Sequence, residues 1–147
     1  MHNAAYIKTW VGVLVAQPNS YESAFLPRGG GWGSVRNIQL SNFDVRGADS
    51  GPSITQDNGS NGSATTGTSL MDLSNIAFVN FTGYLSGAEK GGNRTASVSC
   101  SKVHPCFNIE FENVVLDVNE NSTATGTATC AYVAPGGVHG LSGSGCT

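Results

Sequence analysis

The sequence has few charged residues and no excess of basic ones. Lysine and arginine number 7 and aspartate and glutamate 10, so charged residues make up 12% of the 147 residues and the formal net charge is −3. That share is about half of the usual one in globular proteins. Nucleic-acid binding relies on a basic surface that neutralises phosphates, and the composition therefore argues against a nucleic-acid partner.

Long apolar runs and helical periodicity are missing as well. The apolar stretch that begins at Trp10 ends at Ala16, which is too short to cross a bilayer, so we expect no membrane segment. No window combines apolar residues at a 3.6-residue period with good helix formers. Glycine contributes 20 residues and is accompanied by much serine, threonine and asparagine. This composition predicts a single all-β domain built from short strands and turns.

The sequence also lacks the cysteine and histidine spacings of a metal site. None of the four cysteines forms a C-x-x-C pair and no histidine set of the zinc type lies near them, so we expect no metal site. All four lie in the last third of the chain, which favours disulfides in an oxidising compartment. We interpret them as Cys100 paired with Cys106 and Cys130 paired with Cys146, one of the three connectivities that four cysteines allow.

N-x-S/T sequons point to the same compartment. Such acceptors for N-glycosylation mark the surface of secreted proteins, and they occur at Asn58, Asn61, Asn80, Asn93 and Asn121. We therefore expect a secreted, extracellular glycoprotein. Met1 is followed by neither a basic segment nor a long apolar one, and we interpret the chain as beginning inside a longer fold.

One segment occurs three times. The copies are RNIQLSNFDV at 36–45, SNIAFVNFTG at 74–83 and FNIEFENVVL at 107–116, each with the pattern N-I-x-[LF]-x-N-[FV]. Spacings of 38 and 33 residues are typical of solenoids. In each copy the apolar residues alternate up to the second asparagine and shift by one position after it. A continuous strand would then turn its apolar side chains to the opposite face. We therefore predict bends at Asn42, Asn80 and Asn113, where asparagine tolerates the left-handed backbone. Stacked copies would lay these asparagines over one another as a ladder, and this role competes with glycosylation of Asn80.

Further short strands are predicted between and after the copies, at 52–56, 95–101 and 127–133, separated by glycine-rich loops. Several short parallel strands per coil describe a parallel β-helix. A β-sandwich also has alternating, recurring strands, but the spaced asparagine repeat has no natural role there. Near the start of the chain, period-2 alternation places Tyr6, Lys8 and Trp10 on one face of a strand, an unusual setting for an ammonium group.

The stretches AAYIKTW, GGGWGSVRNIQLSNF, ITQD and SVSCSKVHPCFNIEF, in this order, resemble the C-terminal part of fungal pectin-degrading enzymes. The family is that of the polygalacturonases, glycoside hydrolase family 28, and the exo-acting galacturonidases are the most similar members. The resemblance implies a right-handed parallel β-helix, with residues 1–147 forming the C-terminal coils of one domain whose upstream coils are missing. It also implies inverting hydrolysis of α-1,4-galacturonosyl linkages.

The catalytic motifs of that family are N-T-D, D-D and G-H-G. None of them occurs in this sequence, so we assign no catalytic residue. The family's R-I-K motif is matched by Tyr6-Ile7-Lys8. The resemblance implies that Lys8 contacts a substrate carboxylate and that Tyr6 stands where the arginine usually is, beside the same substrate. A tyrosine expected two residues after Gln56 is replaced by Asn58.

Our leading hypothesis is a secreted exo-galacturonidase that is monomeric at full length, acts on pectic polysaccharide without a metal or organic cofactor, and is present here without its acid and base. The alternatives are a rhamnogalacturonan hydrolase of the same fold and a non-catalytic wall-binding β-helix. Because coils cut from a solenoid expose strand edges, we also expect the isolated chain to aggregate or to be marginally stable.

Overall fold

The computed structural model describes residues 2–15, 28–60, 62–87 and 93–146. Within these ranges the chain forms strands and no α-helix: β1 (Tyr6–Trp10), β2 (Trp32–Ala48), β3 (Ser53–Asn58), β4 (Leu70–Leu85), β5 (Arg94–Ser99), β6 (Phe107–Asp117), β7 (Thr127–Ala131), β8 (Val138–His139) and β9 (Gly143–Ser144). Accordingly, this part of the chain contains no helix that is long and apolar enough to span a membrane.

The strands alternate between two parallel sheets as the chain advances. Odd-numbered strands form one sheet in the order β1-β3-β5-β7-β9, and even-numbered strands form the other in the order β2-β4-β6-β8. Every pair of neighbours in either sheet is parallel. Each coil therefore adds one strand to each sheet, which confirms the parallel β-helix. The β-sandwich alternative is wrong, because its strands would pair mostly antiparallel.

The three sequence repeats lie on β2, β4 and β6 and are stacked in register. Ile38 pairs with Ile76, which pairs with Ile109 on the next coil. All six repeat asparagines have left-handed backbones, with φ between 52° and 65°. The predicted bends at the second asparagine of each copy are confirmed, and the first asparagine of each copy forms another bend that the parity argument did not reveal.

The asparagine side chains form two ladders across the coils. In one, the amide of Asn75 donates to Asn37 Oδ1 at 3.2 Å and receives a bond from Asn108 Nδ2 at 2.7 Å. In the other, Asn80 occupies the middle position, with bonds of 3.0 Å to Asn42 and Asn113. The predicted asparagine ladder is confirmed, and the structure contains two such ladders.

The core consists of side-chain columns that run through the coils. Phe43 stacks on Phe81 with ring centroids 4.4 Å apart, and Phe78 stacks on Phe111 at 4.9 Å. Burial differs between coils: Phe81 and Phe78 are fully buried, whereas Phe43 on β2 is partly exposed. The second coil therefore holds the best-buried part of the core.

A buried glutamine joins the coils through its amide. Gln56 on β3 is 0% exposed, and its Nε2 donates to the backbone carbonyls of Met71 and His104. Its Oε1 accepts from the backbone N–H of Ser101 at 2.9 Å. One side chain thus satisfies three main-chain groups that the strands leave unpaired.

Two disulfides close the later coils. Cys100 is bonded to Cys106 across the loop that precedes β6, and Cys130 on β7 is bonded to Cys146 after β9. The second bridge ties the last strand of the odd-numbered sheet to its neighbour.

Candidate functional site

The first strand presents alternate side chains to solvent, as its sequence pattern predicts. Tyr6 and Trp10 are 43% and 39% exposed, and Lys8 between them is also exposed. Thr9 and Val11 point inwards and are buried, and the Thr9 hydroxyl donates to the carbonyl of Gln56 at 2.7 Å. Packing of the inner face therefore fixes which side chains β1 offers to a ligand.

Two cations lie near the ring system of Trp10. Lys8 Nζ lies 5.1 Å from the ring centroid and Arg28 Cζ lies 5.4 Å from it, within cation–π range. The ring rests on Gly59, where a Cβ atom would lie 2.7 Å from two ring carbons. Trp10 is thus held in place and restricts the lysine beside it.

Lys8 lines a concave cleft of about 430 Å³ that crosses β1, β3 and β5. Its other lining groups are an aromatic ring, a second cation, and several hydroxyl and amide side chains, chiefly Tyr6, Arg94, Ser53, Thr55, Asn58 and Ser97. We call this the Lys8 cleft. Its chemistry combines positive charge for an anionic group with donors and acceptors for hydroxyl groups, which suits an acidic sugar.

A second hollow, also of about 430 Å³, lies on the other side of Lys8 and is lined by Trp10, Trp32 and Met71. Trp32 is 84% exposed, a large apolar area for a side chain in a soluble fold. The lysine therefore stands between a polar hollow and an aromatic one.

Asp49 is the one carboxylate that lines the Lys8 cleft among the residues that the structure describes. Its carboxylate lies 2.9 Å from His2 Nδ1 and accepts a 2.8 Å bond from the Ser86 hydroxyl. The bond with His2, followed by that with Ser86, lowers the pKa of Asp49 below its ordinary value. Asp49 thus stays ionised and engaged at neutral pH, which does not suit a proton donor.

The structure places both predicted substrate-binding residues, Lys8 and Tyr6, in this cleft, and Asn58 lies there too. Sequence reasoning missed Arg94 and Asp49, because neither belongs to a motif and both reach the cleft only through the stacking of coils. Asp49 is bonded to His2, which lies 47 residues away in the sequence. Within the described ranges, no group of three or more His, Cys, Asp or Glu residues could hold a metal ion.

The predicted glycosylation acceptors have different settings. Asn58 is half-buried in the Lys8 cleft and Asn80 is in the middle of a ladder, whereas Asn93 and Asn121 are exposed in loops. Asn61 lies outside the described residues.

Comparison with known proteins assigns the chain to a family. Residues 27–142 match the family model described as Glycosyl hydrolases family 28. Proteins named "Putative galacturan 1,4-alpha-galacturonidase C" from Neosartorya fischeri and Aspergillus niger are 62% and 61% identical to it, each over 97% of this chain and 33% of their own length. Alpha-L-rhamnosidase rgxB from Aspergillus niger is 29% identical over 99% of this chain and 30% of its own length.

The chain thus spans about a third of the length of the curated relatives it matches. No solved structure matches it significantly.

Proposed function

The chain belongs to the glycosyl hydrolases of family 28, and from that premise we propose that it is part of an exo-acting galacturonidase that removes terminal α-1,4-linked galacturonate from polygalacturonate. The relatives that are 62% and 61% identical carry the name of this activity. In this proposal the 147 residues supply a substrate-binding surface.

The observation that carries the proposal is the composition of the Lys8 cleft. Lys8 has no ion pair with any residue that the structure describes, so its ammonium is available to a carboxylate of the substrate. Serine, threonine and asparagine side chains on β3 and β5 lie around it and can bond sugar hydroxyls. Tyr6, which also lines the cleft, offers both a ring face and a phenolic hydroxyl.

We propose that the acid and base of the reaction lie outside these residues. Inverting hydrolysis needs two carboxyl groups about 6.5–9.5 Å apart, with water between them. The N-T-D, D-D and G-H-G motifs are not in the sequence, and Asp49 is already engaged by His2 and Ser86. We therefore expect the chain to bind pectic oligosaccharides without hydrolysing them.

Titration calorimetry of the chain with trigalacturonate tests this function. We expect Lys8→Gln to weaken binding roughly tenfold, because a charge-assisted hydrogen bond is lost. Lys102→Gln, which removes an exposed lysine outside the cleft, should have no effect and is the matched control. Equal affinity of Lys8→Gln and the unchanged chain, or release of galacturonate from polygalacturonate by the chain alone, would contradict the proposal.

A second candidate is a rhamnogalacturonan hydrolase of the same fold. The observation that favours it is the 29% identical relative, whose name is alpha-L-rhamnosidase, together with Tyr6 in place of the family's arginine. Tighter binding of rhamnogalacturonan oligosaccharides than of galacturonate oligosaccharides would favour this candidate.

The remaining alternative is a non-catalytic wall-binding module. In that case the coding sequence upstream of Met1 would contain no N-T-D, D-D or G-H-G motif.

We further propose that the protein is secreted and glycosylated. The two disulfides fit an oxidising compartment. Asn93 and Asn121 are the acceptors that we expect to carry glycans. A glycan on Asn58 would occupy the cleft, and one on Asn80 would interrupt a ladder. Glycopeptide mass spectrometry of the secreted protein would test this assignment.

A further inference from the structure

We propose that Arg94 binds a second carboxylate of the substrate, on a different sugar unit from the one held by Lys8. The cleft would then select runs of unesterified uronic acids rather than a single acidic sugar. This inference rests on the proposed function of the Lys8 cleft and extends it to a residue outside the family motifs named above.

The position of Arg94 in the fold supports this role. Arg94 opens β5, which lies two strands away from β1 in the sheet order β1-β3-β5. Neighbouring strands are about 4.8 Å apart, so the backbones that carry Lys8 and Arg94 are separated by at least about 10 Å. The two residues are also offset along the strands, because Lys8 pairs with Thr55 and Thr55 pairs with Ser99 at the end of β5, whereas Arg94 begins that strand. The two cations therefore start from different places along the cleft, and two units of a sugar chain that runs across the coils can offer one carboxylate to each.

The local backbone brings Arg94 to the end of the cleft. The chain bends at residues 4–5 and 51–52, and the N–H of Gly51 donates to the Arg94 carbonyl at 2.9 Å. A Cβ atom on Gly51 would lie 1.9 Å from the Thr95 carbonyl oxygen. The glycine therefore allows the third coil to approach closely enough for Arg94 to line the same cleft as Lys8.

Among the residues that the structure describes, no group competes for the guanidinium of Arg94. It is exposed and makes no hydrogen bond or ion pair with a residue that the structure describes. Arg46, by contrast, is held by Asp44 through bonds of 3.0 and 2.8 Å. The nearest acidic group in the cleft, Asp49, is bonded to His2 and Ser86. Arg94 can therefore present its planar pair of donors to a ligand carboxylate.

A double-mutant cycle measured by titration calorimetry tests the inference. The probes are trigalacturonate and its fully methyl-esterified form, and the variants are Arg94→Gln, Lys8→Gln and the two combined. We expect each single substitution to weaken binding of trigalacturonate roughly tenfold, and the combined variant to be weaker by the product of the two factors, because independent contacts add in free energy. Binding of the neutral ester should change little in any variant.

Arg36→Gln is the matched control, since Arg36 is an exposed arginine on β2 outside the cleft. Circular dichroism and the melting temperature verify that each variant is folded. Unchanged affinity of Arg94→Gln, with Lys8→Gln weakened as expected, overturns the inference and leaves the proposed function standing. A double variant no weaker than the single ones also overturns it, because the two cations would then share one carboxylate. Unchanged affinity of Lys8→Gln, or no binding by the unchanged chain, overturns both proposals.

Discussion

At the scale of single residues, the fold uses a buried polar side chain to bond backbone groups that the strands leave unpaired. Gln56 is the clearest example, since its fully buried amide serves Met71, Ser101 and His104 at once. A buried donor or acceptor without a partner costs more than its hydrogen bond contributes. The hydrogen bonds of the Gln56 amide therefore contribute more to the free energy of unfolding than the burial of the side chain does.

We predict that Gln56→Leu lowers the free energy of unfolding by about 2–4 kcal/mol, because two carbonyls and one N–H remain buried without partners. Gln56→Glu should be worse at neutral pH, since a carboxylate would face two carbonyl oxygens. Urea unfolding followed by circular dichroism measures both. Gln39→Leu, on an exposed glutamine of β2, is the control and should change stability little. A Gln56→Leu variant as stable as this control would show that water replaces the amide.

The cleft residues that belong to the Tyr6-Ile7-Lys8 triplet could be predicted from the sequence, and those outside the triplet could not. Lys8 and Tyr6, which line the cleft, occupy a recognisable triplet on a strand with clear alternation. Arg94 and Asp49 reach the same cleft from other coils, and no local pattern reveals which coil will stack where. Which residues of different coils meet depends on the register in which the strands stack. Loop lengths influence that register, but they cannot be converted into it from the sequence alone.

At the scale of elements, the long strands are continuous through their bends. The sequence predicts several short strands per coil, but β2 and β4 have 17 and 16 residues. The bends within the repeated segments are made by asparagines at the same position in neighbouring coils, as with Asn42 and Asn80. Because adjacent strands bend together, their backbone hydrogen bonds resume at once. The repeat was predictable from sequence, whereas this continuity arises only when the copies stack.

We predict that Asn75→Ala destabilises the fold more than Asn75→Gly does. Both variants remove the two ladder bonds of Asn75, but alanine must also adopt the left-handed backbone, at a cost of about 1–2 kcal/mol. Glycine adopts that conformation freely. Chemical unfolding of both variants gives the comparison. If alanine proved as stable as glycine, backbone conformation would not be the reason for asparagine here.

At the scale of the whole molecule, stability is distributed unevenly along the stack of coils. Ile76 and Phe78 on β4 are covered from both sides, but their counterparts on β2, Ile38 and Leu40, are only partly buried. In the sheets formed by the described residues, β1 and β2 are edge strands. An apolar hollow of about 400 Å³ beside Phe43 marks the same end of the stack.

The edge strands at this end of the stack should make the isolated chain prone to self-association. Unpaired strand edges beside partly exposed apolar columns favour pairing with another molecule. We expect the 147-residue chain to self-associate with increasing concentration in analytical ultracentrifugation. Ile38→Lys should reduce this association, since an inward-pointing charge on an edge strand opposes strand addition. Val115→Lys, on a half-exposed valine of the inner strand β6, should not reduce it. A chain that stays monomeric at all concentrations and melts cooperatively would mean that the end coil is stable without a partner.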